Sequence, residues 1–156
     1  MRRLGRRGFT FAELMVVIIV IGVLASMAVM RYIELKHRAL SAQATADMEN
    51  VRLSAYTKFY DTGQWPSSPG PGVMPPELAP YLGQGFRFQR SEYTLEFENF
   101  VPPNGGATPS YQVALRLTTS DQHLMNTLVQ TVGNRSPYFV LGNSLVVVLV
   151  GPDGQT

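Results

Sequence analysis

Seventeen consecutive uncharged residues, 14–30 (LMVVIIVIGVLASMAVM), constrain this chain more than any other feature. With Phe9, Thr10, Phe11 and Ala12 the segment reaches 22 residues, broken only by Glu13. About 20 residues of α-helix cross a bilayer core. Arg2, Arg3, Arg6 and Arg7 precede it, which predicts a cytoplasmic N-terminus and an extracytoplasmic body. A plain signal anchor fits these facts. So does a cleaved secretory signal with a weak site at Ser26-Met27-Ala28, or a twin-arginine-like export signal at Arg6-Arg7-Gly8-Phe9. None of them accounts for Glu13, because a carboxylate in a membrane helix costs roughly 2.5 kcal/mol or more.

Charge separates the start of the chain from the rest. Of 13 lysines and arginines, four lie within the first eight residues, leaving nine against eleven acidic side chains. The net charge of +2 therefore belongs to the leader, and the body is mildly acidic. No basic surplus argues for nucleic acid, so direct nucleic-acid binding is not supported. A local basic cluster, Arg31, Lys36, His37 and Arg38, lies just past the apolar run, where contact with a membrane surface is one reading. There is no cysteine, so no disulfide, thiolate nucleophile or cysteine metal site can form. The length of 156 residues suits one domain of ordinary size.

Gly8-Phe9-Thr10-Phe11-Ala12-Glu13-Leu14, after a short basic leader and before an apolar helix, resembles the type IV pilin and type II secretion pseudopilin family. The resemblance implies cleavage between Gly8 and Phe9 by a prepilin peptidase/N-methyltransferase and methylation of the new Phe9 amine. It makes Glu13 the fifth residue of the mature chain and gives it a role in assembly. The implied partners are copies of the chain or other pilin-like subunits and an inner-membrane assembly platform. The implied location is the inner (cytoplasmic) membrane, with a single pass, a periplasmic head and a filament after assembly. Phe9 and Glu13 are separated by about 6 Å of helical rise. The new amine and the carboxylate can pair within one chain or between neighbours, or Glu13 can snorkel to the interface. One departure stands out: Met30 lies where the family often has proline, and the first proline is Pro66.

Beyond the apolar run, Leu40, Ala44, Met48, Val51, Ala55 and Phe59 recur at spacings of three and four, one face of an amphipathic helix. Arg38, Asp47, Glu49, Arg52 and Lys58 are read as its polar faces. A helix over residues 9–60 would measure about 78 Å, stopped by Gly63 and Pro66. Six of eleven prolines fall within residues 66–80, which predicts a loop with a helical turn around 77–81. Trp65 is expected to pack on this loop and the helix. Tyr60-Asp61-Thr62-Gly63-Gln64-Trp65-Pro66 resembles a pseudopilin pattern at the same place. Residues 85–90, 93–100, 111–118, 137–141 and 144–150 read as strands. Pro102-Pro103-Asn104-Gly105-Gly106 reads as a loop. Ser120 or Asp121 caps a helix bearing Leu124, Leu128 and Val132, closed by Gly133. Gly142-Asn143 is a hairpin turn, and the wholly apolar 145–150 should be a central or doubly covered strand. The expected fold is α+β: a leader at 1–8, a membrane or filament-core helix at 9–30, its amphipathic continuation at 31–60, and a globular head at 61–156 with an antiparallel sheet.

Chemistry is sparse. His37 and His123 have no metal-ligand companion at helical spacing, and no phosphate loop or HExxH occurs. Ser144 reads as a strand start rather than a nucleophile, and Glu92, Glu96 and Glu98 as a solvated face. The chain is not expected to be an enzyme or to need a cofactor. Gly151-Pro152-Asp153-Gly154 resembles a terminal motif of some pseudopilins near a calcium loop, which makes Asp153 a weak calcium candidate without obvious acidic partners. The leading expectation is a structural filament subunit. Pilus, secretion and DNA-uptake systems all suit it, with a slight tilt toward type II secretion. A membrane-anchored binding or sensor domain that never polymerises is the alternative, followed by an exported enzyme.

Overall fold

A computed structural model of the chain describes residues 9–101, 111–132 and 136–154. The leader, including Gly8, the expected loop at 102–106 and the stop at Gly133 lie outside those residues. The chain divides into two compact units, Met1–His37 and Arg38–Thr156. One long helix, α1 (Phe11–Thr62), contributes residues to both.

Within the first unit, α1 is uninterrupted because no proline removes a backbone donor and Gly22 is the only glycine between Phe11 and Thr62. The Ser26 hydroxyl donates to the Val23 carbonyl at 2.7 Å, so that polar atom is satisfied by the helix itself. The helix continues through Met30. Every side chain from 11 to 36 is exposed.

In the second unit the expected stripe is the buried one: Ala44, Met48, Val51 and Ala55 lie in the core, with Leu40 packed against it. Two residues expected on the polar faces, Asp47 and Lys58, are buried instead. Each has partners across the fold that compensate for lost water. Gly63 takes the left-handed conformation (φ 71°) and donates its N–H to the Phe59 carbonyl at 2.7 Å, the usual glycine end to a helix. Lys58 Nζ donates to the carbonyls of Gln64 and Trp65 at 2.8 and 3.2 Å, fastening the turn that follows. Trp65 stacks on Phe59, with ring centroids 4.5 Å apart, and meets Tyr56 edge-on.

The sheet has four antiparallel strands: β1 (Thr94–Asn99), β2 (Val113–Thr118), β3 (Tyr138–Leu141) and β4 (Ser144–Val150), in the spatial order β1-β2-β4-β3. The apolar β4 is interior, as its composition requires. Leu95, Phe97, Leu115, Leu117, Leu145 and Val147 join the α1 stripe in one core. Helix α2 (Gln122–Val132) adds Leu124, Met125, Leu128 and Val132 to it. Asp121 caps α2, accepting the N–H groups of His123 and Leu124 at 2.8 and 3.1 Å. The opposite sheet face carries a smaller cluster of Tyr111, Ala114 and Val146. The fold is α+β.

Residues 85–90 are not a strand. A single bridge joins Gln89 to Thr94, and Phe86 closes a turn by donating to the Gly83 carbonyl at 3.1 Å. Gly85 sits at φ 84°. The Phe86/Phe88 alternation is that of a loop laid on the core, with Phe88 1% exposed and Phe86 its partner 5.9 Å away. The helical turn expected at 77–81 is a short 3-10 helix, Pro76–Leu78.

Candidate functional site

The first turn of α1 answers why a carboxylate stands at position 13. Thr10 is the N-cap and Glu13 the third helical residue. The Thr10 N–H donates to Glu13 Oε2 at 2.7 Å, the Thr10 hydroxyl donates to the same oxygen at 2.9 Å, and the Glu13 N–H donates to Thr10 Oγ1 at 3.2 Å. This is a capping box: two backbone donors that an α-helix leaves unsatisfied are closed reciprocally by side chains. A carboxylate in the first turn also faces the positive end of the helix dipole. The Leu14 N–H then donates to the Thr10 carbonyl at 3.2 Å to begin the helical ladder.

In the chain as it stands, Phe9 is bonded to Gly8 and carries no free amine, so Glu13 is closed on Thr10. Phe9 is 79% exposed beside it. Thr10 is the residue that sequence reasoning missed, although the spacing Thr-Phe-Ala-Glu before an apolar run is a legible capping-box signal. Behind the box, Ile18, Ile19, Leu24 and Met30 are 61–66% exposed, and this segment is long and apolar enough to cross a membrane. At its far end Arg31 and Glu34 pair one turn apart at 3.3 Å.

The second unit holds two charged clusters. Asp47 Oδ2 accepts the Tyr93 hydroxyl at 2.6 Å and the Arg90 guanidinium at 2.8 Å from its terminal nitrogen. It thereby ties α1 to the loop before β1. On the opposite sheet face, Arg116 pairs with Glu98 at 2.7 Å and approaches Glu96 at 3.8 Å, and the Tyr111 hydroxyl donates to Glu98. The solvated face expected for the glutamates is thus corrected for two of them. Glu98 is buried, and Glu96 lies directly opposite Arg116 in the strand register. Burial, and then the neighbouring Glu98, raises the Glu96 carboxyl above its ordinary range. Burial and the bond to Glu98 push the Tyr111 phenol up to about 12.

The Ser144 hydroxyl lies 2.8 Å from the Thr118 hydroxyl at the sheet's end, in keeping with a strand-start residue. Asp153 is exposed in a turn closed by the Gly154 N–H on the Gly151 carbonyl. Among the described residues no three acidic or histidine side chains gather as a metal would require.

Comparison with known proteins agrees with the geometry of the first unit. Residues 3–29 match the family model described as the prokaryotic N-terminal methylation motif. The chain is 39% identical over 64 residues to a fimbrial protein of Neisseria meningitidis, covering 40% of this chain and 37% of that protein. It is 38% identical over 72 residues to a type IV major pilin protein of Neisseria gonorrhoeae, covering 46% and 33%. It is 31% identical over 112 residues to type II secretion system core protein G of Dickeya chrysanthemi, covering 65% and 72%. The matches thus span about a third of the length of the two neisserial proteins. No solved structure matches the chain.

Proposed function

The chain belongs to the type IV pilin and pseudopilin family, and from that premise we propose that it is a structural subunit of an envelope-spanning filament, processed after Gly8 and assembled through α1. One observation carries the reading. The capping box opens directly onto an apolar helical surface that no described residue of its own unit covers. A surface of that extent needs lipid or other copies of the same helix. The subunit waits in the cytoplasmic membrane and packs α1 into a filament core on assembly. A prepilin peptidase/N-methyltransferase and an inner-membrane platform are its processing and assembly partners. The match covering 72% of a type II secretion protein supports the secretion branch over the pilus branch.

In this scheme Glu13 directs assembly. Cleavage creates an ammonium at Phe9, and a carboxylate inside an apolar phase is far better paired than alone. The amine of a neighbouring copy competes with Thr10 for Glu13, so pairing across copies rewards assembly and sets register. Mass analysis of the mature N-terminus tests the processing step. The expected species begins at N-methylated Phe9, whereas an intact leader means a membrane-anchored domain outside filament assembly. Glu13→Ala is expected to cut filament yield at least tenfold with the subunit still in the membrane, measured by shearing and immunoblot. Unchanged filaments would remove the role of Glu13.

A further inference from the structure

Near the end of the first unit the composition of α1 changes. Arg31, Glu34 and Lys36 are interleaved with Tyr32, Ile33 and Leu35, and all six side chains are exposed. Neither water nor hydrocarbon suits such a mixture, whereas the headgroup layer of a bilayer suits both halves of it. Position along the helix agrees. Met30 ends the uncharged run, so the α-carbons of Tyr32 and Lys36 stand about 3 and 9 Å beyond it. The headgroup layer is roughly 5–8 Å deep on each side of the hydrocarbon core. Helical side chains lean toward the helix N-terminus. The Lys36 stem therefore reaches back over the turn of Tyr32 and lowers its ammonium into that layer.

Charge is distributed unevenly around this turn and a half of helix. Arg31 and Glu34 pair at 3.3 Å and largely cancel. Glu34 is two residues from Tyr32 and two from Lys36, which sets it about 200° around the helix from each. Tyr32 and Lys36, four residues apart, are neighbours on the opposite side. Tyr32 is 68% exposed. Among the described residues neither its hydroxyl nor the Lys36 ammonium has a hydrogen-bond or ion-pair partner. A cation and a phenolic donor with no carboxylate on the same face are the complement of an anion. The anion found at this depth is a phospholipid phosphate.

We propose that Tyr32 and Lys36 clasp the headgroup of a phospholipid of net negative charge, in the leaflet at the C-terminal end of the span. The ammonium pairs with the phosphate, and the Tyr32 hydroxyl donates to one of its free oxygens. A zwitterionic headgroup brings its own cation to the same place and gains less. The clasp rests on the membrane placement proposed above. It adds the lipid that is recognised and the face of α1 that recognises it.

Full-length chains in phosphatidylcholine vesicles test this, with spin-labelled phosphatidylglycerol or spin-labelled phosphatidylcholine as the reporting lipid. Electron spin resonance gives the ratio of their association constants at the protein surface. The leader arginines are common to every variant, so differences between variants belong to the substituted residue. Lys36→Gln is expected to lower the preference for phosphatidylglycerol about fivefold, the ratio that one surface cation supplies, and Lys36→Arg to keep it. Tyr32→Phe is expected to lower it about twofold, the worth of one modest hydrogen bond. Arg31→Gln removes the same formal charge from the face already neutralised by Glu34 and is expected to leave the preference unchanged. An unchanged preference in Lys36→Gln or in Tyr32→Phe overturns the clasp. So does a loss in Arg31→Gln as large as that in Lys36→Gln, which marks a diffuse charge effect. Flotation on a density gradient checks insertion separately: a full-length chain that does not float with the vesicles removes the membrane placement and the clasp together.

Discussion

Glu13 and Thr10 show how one pair of residues reconciles two demands. A carboxylate in an apolar segment needs a partner at all times, and the capping box supplies one before any amine exists at Phe9. Thr10→Ala should cost the helix start about 1 kcal/mol. Amide exchange at Glu13 and Leu14 in micelles should then quicken about fivefold, with Thr10→Ser close to the native rate. Glu96 gives a prediction of opposite sense. Its carboxyl is raised in the folded chain, by burial first, so its ionisation costs stability. Its contribution is fully present below the ordinary carboxylate range and is lost as pH rises through the raised value. Glu96→Gln should therefore melt above the native chain at pH 7 and lose that advantage as the medium is acidified, as thermal melts across that range would record.

At the scale of elements, local rules explain most of the fold. The stripe from Leu40 to Ala55 is a 3.6-residue period, the 145–150 run is too apolar for an edge, and Asp121 is an ordinary N-cap. What stayed hidden depends on partners distant in sequence. Asp47 looks like a solvent-facing residue until Tyr93, 46 positions away, supplies its hydroxyl. Lys58 is buried because the chain turns back to present two carbonyls. Alternation at 85–90 is genuine, but alternation marks a buried and an exposed side, and only pairing makes a strand. Thr10 was hidden for a different reason: the capping-box spacing was present but competed with a charge-pair reading of Glu13. Asp47→Ala should destabilise the chain by about 2–4 kcal/mol in urea unfolding, because it leaves the Arg90 charge and the Tyr93 hydroxyl with no partner on α1. Asp47→Asn, which keeps an acceptor, should lose less.

For the whole molecule, the buried apolar core among the described residues draws on Ala44 onward, while the surface of α1 from Leu14 to Met30 is exposed and uncharged. A chain beginning at Arg38 should therefore fold cooperatively and remain monomeric without detergent, whereas the full chain should require detergent or lipid. Size-exclusion chromatography with circular dichroism checks both. The outer edge of β1 is closed by the chain itself, Gly72 donating to the Leu95 carbonyl and Leu95 to the Phe88 carbonyl. Membranes concentrate their proteins, and crowded strands with bare edges are prone to fuse into continuous cross-β stacks. Here the proline-rich segment acts as a chain terminator. Among the described residues β3 is then the one sheet edge left open, so strand-to-strand fusion through described edges is expected to stop at a pair.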